Sequence, residues 1–227
     1  MSDPSRERAA WRRVEDLLGN DRLLLGDHWS YNLADDPKRL AFVLSRYKFA
    51  ARLIGRNRKV LELGCSEGLA GVILAEFAEH YTGVDSDHEA IVSARRNWDP
   101  ARFTFHEDDF LGKSYGQFDA VVSMDVVEHI EPAFEQQFFL ALWQNLTPSG
   151  IGIIGTPNLT SSPYASPVSL ANHINLFDAA RFRSTLTRYF ERVFIFGMND
   201  EVVHTGFLPM AHFLIGVGCC KRKKIHD

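Results

Sequence analysis

Glu62, Asp85 and Asp109 each stand where a short apolar run gives way to polar chain, and Asp125, Glu128, His129 and His173 follow two later runs of the same kind. Carboxylates so placed accept hydrogen bonds from sugar hydroxyls or from an amino group. An imidazole beside a carboxylate can take a proton from a hydroxyl, because histidine titrates near neutral pH. The same set can instead hold a divalent cation that acidifies the hydroxyl. Asp125, Glu128 and His129 are spaced i, i+3 and i+4, which on a helix is one face. A lone aspartate after a strand is more often a turn residue or a helix cap. Three acids after three successive strands are harder to dismiss.

The element that positions the first acid is Val60-Leu61-Glu62-Leu63-Gly64-Cys65-Ser66-Glu67-Gly68. It reads as a strand, a glycine turn and the start of a helix. Such a turn brings bare backbone N–H groups to a ligand at the open end of a parallel sheet. Gly64, Cys65 and Gly68 are its ligand-side positions. Glu62 is expected at the lip, where it repels a pyrophosphate and tolerates an ammonium or sulfonium group. Asp85, followed by Ser86, comes about 20 residues after the turn, the spacing at which an acid grips ribose hydroxyls. Asp109 is placed to accept from an adenine amino group, with the N–H of Phe110 beside it, and Met124 lines the other end of the ligand. The dinucleotide fingerprint needs glycine at 64, 66 and 69, and the chain has Ser66 and Leu69. No Walker phosphate loop is present. A cationic nucleoside fits best.

Around these residues strand and helix alternate. β-rich runs stand at Val60–Leu63, Tyr81–Val84, Phe103–Phe105, Phe118–Ser123 and Ile151–Gly155. Glu131–Leu146 reads as a helix, with Pro132 in its first turn and Phe134, Phe138 and Leu142 on one face. Repeated β-α units predict a mostly parallel sheet with helices on both faces. Arg192–Phe196 and His212–Cys219 have no helix between them, so an antiparallel pair is expected to close the sheet. Helical stretches at Ser5–Leu18 and Pro37–Ile54 flank a loop, Gly26–Asn32, that carries Trp29 and Tyr31. Residues 1–55 are expected to form a helical cap and 56–227 the main domain. Trp29 and Tyr31 are candidate substrate residues on a lid, set against ordinary packing of the cap. Thr156–Ser169, rich in Ser and Pro, reads as a loop over the same crevice.

The glycine turn, Gly83-Val84-Asp85, the acid pair Asp108-Asp109 and Phe118-Asp119-Ala120-Val121-Val122-Ser123 together resemble the class I S-adenosylmethionine-dependent methyltransferases. Ser66 departs from the glycine many members carry there. The resemblance implies a Rossmann-like α/β fold with a seven-stranded sheet, its last strand antiparallel, and S-adenosylmethionine as cofactor. The Glu128-His129 pair resembles the ubiquinone-biosynthesis O-methyltransferases. With His173 it also resembles small-RNA 2′-O-methyltransferases, in which such residues bind metal. The expected function is methyl transfer to a hydroxyl of a small molecule or sugar, with His129 or His173 as general base. Glu128, His129 and His173 are the alternative metal set, and a purely structural Glu-His pair is the bland reading. An amine acceptor, an RNA acceptor and a non-catalytic nucleoside-binding module are the other readings.

Bulk composition narrows the partners. With 25 Lys+Arg against 29 Asp+Glu the net charge is -4, which argues against nucleic acid as a partner. The basic cluster Lys221–Lys224 reads as a solvated tail. Three cysteines, two of them adjacent, suit a reducing cytoplasm. The polar start of the chain offers no leader, and no apolar run is long enough to span a membrane.

Overall fold

Unbroken apolar runs make the central strands: Val60, Leu61 and Leu63 are all fully buried, as a strand covered on both faces requires. The computed structural model describes residues 4–18 and 22–225, so Met1–Asp3 of the polar start lie outside the described residues. Three helices come first, α1 (Pro4–Leu18), α2 (Asp27–Asp35) and α3 (Lys38–Ile54). Then follow β1 (Arg58–Leu63), α4 (Gly71–Ala75), β2 (Ala78–Asp85), α5 (His88–Asn97) and β3 (Phe103–Glu107). Next are β4 (Phe118–Met124), α6 (Glu135–Gln144), β5 (Leu146–Pro157), α7 (Pro167–Asn172) and α8 (Ala179–Thr187). Three strands end the chain, β6 (Phe190–Asn199), β7 (Val202–His204) and β8 (Phe213–Lys221).

The strands form one sheet in the order β3-β2-β1-β4-β5-β8-β6-β7. β1 to β5 are parallel, and β8 lies antiparallel between β5 and β6. The mostly parallel sheet and its reversed last strand are as expected. The strand count is eight rather than seven, because β7 turns back on β6 through Asp200-Glu201. That turn uses Asp200 at φ 49°, a conformation Asp tolerates, so Asn199-Asp200 is its turn signal even without a glycine. β1 is flanked by β2 and β4, which makes its carboxyl end the switch point where open α/β sheets hold ligands.

Alternate strand residues feed two core layers. Val60, Val122, Ile153 and Ile215 pack with Tyr47, Ala50 and Ala51 of α3 on one face. Leu61, Leu63, Val121 and Ile154 pack with Phe138 and Leu142 of α6 and Phe182 and Leu186 of α8 on the other. The helix expected over Glu131–Leu146 is shorter. Pro132–Phe134 form a 3-10 turn, Phe134 is exposed, and Leu146 already belongs to β5.

Other local expectations need correction. Gly26–Asn32 is not a loop: α2 starts at Asp27 with Gly26 as its cap residue. Thr156–Ser169 is not one loop either, since Thr156 and Pro157 end β5, Leu159–Tyr164 is a 3-10 segment, and α7 begins at Pro167. Half of the basic tail is fixed: the Lys221 ammonium donates to the Leu146 carbonyl at 2.7 Å and Arg222 Nε to Thr187 at 2.8 Å. No helix among the described residues is long and apolar enough to cross a membrane.

Candidate functional site

At the carboxyl ends of β1, β4 and β5 lies a cavity of about 680 Å³. Gly64, Cys65 and Ser66 of the glycine turn line one side, with Met124 and Asp125 after β4. Glu128, His129, Asn172 and His173 line the far side, and α2 and α3 close the cavity with Trp29, Tyr31, Arg39 and Arg46. Of the expected ligand residues, Gly64, Cys65, Met124, His129, His173, Trp29 and Tyr31 are thus brought together. Glu62, Gly68, Asp85, Ser86, Asp109 and Phe110 do not line this cavity.

Glu62 is not at a lip. Its carboxylate is fully buried beneath the turn and accepts from the hydroxyls of Tyr47 on α3 and Tyr81 on β2. Burial pushes its pKa from 4.5 up to about 7, against the two tyrosine hydrogen bonds, which favour the charged form. A folded-state pKa above the unfolded value means the folded protein binds the extra proton. Stability is therefore full at low pH and falls as pH rises from 4.5 towards about 7. The loss is about 3 kcal/mol. Glu62→Gln is expected to shrink the fall in unfolding free energy between about pH 5 and pH 8 by roughly that amount. Urea titrations of both proteins at the two pH values measure it.

Four of the turn's N–H groups are already taken. Gly64 and Cys65 donate to the Val84 carbonyl, Gly68 donates to that of Cys65, and Ser66 donates to Asp85 Oδ2 at 2.7 Å. What the turn offers a ligand is shape. Ser66, a non-glycine residue in this turn, adopts a φ of 48°. The strain of about 1–2 kcal/mol for a non-glycine residue there is offset by the bond to Asp85. Asp85 accepts again from the Asp87 N–H at 3.0 Å, so each of its oxygens keeps one lone pair. Asp109 is exposed and caps the N–H of Leu111, while Phe110 is buried in the core.

After β4 the chain makes a 3-10 turn, Val127–His129, and Asp125 stands outside it at φ 56°. The expected shared helical face is therefore absent: Asp125 turns to Arg46, whose Nη1 lies 2.7 Å from Oδ1. The Arg46 guanidinium also stacks on Phe213 at 3.6 Å. Glu128 and His129 turn the other way and meet His173. One ligand atom from each of these three lies within 4.8 Å of the others. Glu128 is fully buried, accepts from Thr156 Oγ1 at 3.0 Å through Oε2, and leaves Oε1 without a partner. Its backbone carbonyl accepts from Ile174 and Asn175, which fixes the segment that carries His173. His129 Nδ1 is 3.0 Å from the Asn172 carbonyl, so it carries the proton and Nε2 keeps its lone pair. Burial, then the neighbouring His129, lowers the His173 pKa, which keeps that ring neutral. One carboxylate oxygen and two imidazole nitrogens make a donor set that fits a divalent cation.

Known proteins share this fold. Residues 60–150 match the family described as a methyltransferase domain. Residues 60–150 are thus a domain of the class I S-adenosylmethionine-dependent methyltransferase type. The ubiquinone biosynthesis O-methyltransferase of Rickettsia typhi is 28% identical over 145 residues, covering 60% of this chain and 55% of the relative. The chain spans about half the length of the curated relatives it matches. Among solved structures, the methyltransferase domain of bacterial CtHen1 superposes with a TM-score of 0.62 at 19% identity, over 80% of this chain and 98% of that one. The N-methyltransferase NodS of Bradyrhizobium japonicum, solved with S-adenosyl-L-homocysteine, gives 0.59 at 18% identity, over 86% and 92%. At these identities the structural likeness shows the fold alone.

Sequence reasoning missed Arg46, Thr156 and Glu67 in this methyltransferase domain. Thr156 ends β5, and the rule that ligand residues follow strand ends would have found it. Arg46 carries no such signal, because it comes from a helix outside the β-α units.

Proposed function

We propose that the chain transfers the methyl group of S-adenosylmethionine to a hydroxyl of a small molecule. The observation that carries this reading is one cavity holding both the glycine turn and the Glu128–His129–His173 cluster. The occupied N–H groups of the turn support it as well. A phosphate needs free donors at such a turn; a nucleoside joined to a sulfonium does not.

When bound, S-adenosylmethionine supplies a methyl carbon on positive sulfur, open to in-line displacement. Gly64, Cys65 and Met124 would hold its methionine end, and Asp85, which is hydrogen-bonded to the cavity-lining Ser66, would take the ribose hydroxyls on its spare lone pairs. Asp109 and the N–H of Phe110 would receive the adenine edge. Transfer would join the acceptor oxygen to that carbon as the carbon–sulfur bond breaks, with sulfur keeping the electron pair. The hydroxyl proton must leave, and Glu128, His129 and His173 face the space where it does. A divalent cation on these three residues would acidify that hydroxyl. The unpartnered Glu128 Oε1 and the oriented His129 favour this reading over a purely structural Glu-His pair. Without a cation, neutral His173 is the general base.

Transfer of labelled methyl to a panel of hydroxylated small molecules tests the proposal. Product formed with Mg²⁺ or Mn²⁺ and abolished by a chelator supports the cation reading. Product indifferent to chelator assigns the proton to histidine. Product from amines alone would overturn the hydroxyl reading.

A further inference from the structure

We propose that Glu67 is a positioning residue that clamps α2 onto the cofactor turn and so sets the acceptor side of the cavity. The inference deepens the methyltransferase reading and rests on it for what the cavity binds. Glu67 stands in the glycine turn, is 3% exposed, and takes no part in the proposed cofactor contacts. Its two oxygens accept from the first N–H groups around the start of α2, Gly26 at 2.9 Å and His28 at 3.1 Å. The first N–H groups of a helix have no partner within it. Helices usually satisfy them with a Ser, Thr, Asp or Asn side chain at the cap position. Gly26 has no side chain to give, so Glu67 supplies the cap from 41 residues away.

The bracket that holds Glu67 is stiff. Its carbonyl accepts from Trp98 Nε1 at 3.0 Å, and its neighbour Ser66 is tied to Asp85. Gly26 must be glycine for the clamp to close, because a Cβ there would lie 2.4 Å from Glu67 Oε1. A second tie stands one turn upstream, where the Leu24 carbonyl accepts from Arg96 Nη2 and Asn97 Nδ2, both at 2.9 Å. Residues 24–28 are thus a strap fastened across α5 and the cofactor turn. Beyond the strap, α2 delivers His28, Trp29, Tyr31, Asn32 and Asp35 to the cavity wall. The same turn that faces the cofactor therefore holds the wall that faces the acceptor. Loading the turn therefore steadies α2.

Hydrogen-exchange mass spectrometry on the full chain tests this, with S-adenosylhomocysteine as the probe. In Glu67→Ala and in Gly26→Ala, a peptide spanning 22–35 is expected to exchange about tenfold faster. A peptide spanning 118–124 in β4 keeps its rate. In the wild type S-adenosylhomocysteine slows exchange over 22–35, and both variants lose most of that protection while still binding the probe. Glu67→Gln keeps one accepting oxygen and is expected to fall between. Unchanged exchange over 22–35 in both variants would overturn the clamp. A rise spread equally over β4 would overturn it too, since Glu67 would then be a general stabiliser. Absence of probe binding in the wild type would instead remove the methyltransferase reading on which the clamp rests.

Discussion

Glu128→Gln should cost on the order of 10²–10⁴ in methyl transfer and should not cost stability. Glutamine has the shape of glutamate and its carbonyl oxygen still accepts from Thr156. What disappears is the acidic oxygen: Oε1 has no partner of its own, and one oxygen of this carboxyl lies within 4.8 Å of ring nitrogens of His129 and His173. Burial holds the Glu128 carboxyl well above the ordinary range, and Asp125 raises it further. A raised folded-state pKa means that ionising Glu128 opposes folding as pH rises. Gln removes that cost, so the variant should melt at the same temperature or higher at about pH 8. Melting curves and labelled-methyl assays on the same preparation check both halves. A variant that loses activity only in proportion to lost fold would show Glu128 to be structural. Thr156→Val should reproduce a milder form, roughly 10–100-fold weaker Mn²⁺ binding, because it frees the carboxylate from its fixed orientation.

The second large effect is expected at Gly64. Its φ is 81°, and a Cβ there would lie 2.3 Å from Val126 Cγ2. Gly64→Ala therefore meets two separate penalties, left-handed backbone strain of about 1–2 kcal/mol and overpacking of about 1–3 kcal/mol. Either the fold weakens by their sum or the turn moves and the cavity loses its wall. The double variant Gly64→Ala with Val126→Ala relieves the clash and keeps the strain. It should recover part of the stability but not all. Full recovery would mean the backbone conformation costs nothing, and no recovery would mean that Val126 is not the obstacle. Equilibrium denaturation of the three proteins decides.

How much of this was legible in the sequence follows from where each signal is stored. The β-α units are readable because the central strands β1 and β4 are buried on both faces over most of their length and so are written as largely apolar runs. The glycine turn was readable because only glycine suits φ 81° at that contact. His129 and His173 were singled out from their strand-end positions, and 43 residues of chain separate His129 from Asn172, its hydrogen-bond partner. What failed was long-range or directional. Glu62 was placed at a lip because sequence spacing says that an acid ends the strand, not which face it takes. Its face is set by Tyr47 and Tyr81. α2 was read as loop because its cap lies in another element. Asp125 was grouped with Glu128 by helical spacing, but a φ of 56° breaks the helix before it forms.

The central claim is that this cavity binds an adenosyl sulfur compound, and calorimetric titration with S-adenosylhomocysteine tests it most directly. The expected result is saturable one-to-one binding that weakens at least about tenfold in Asp85→Ala, which removes both ribose acceptors. Flat heats in the wild type, or equal affinity in the two proteins, would contradict the account.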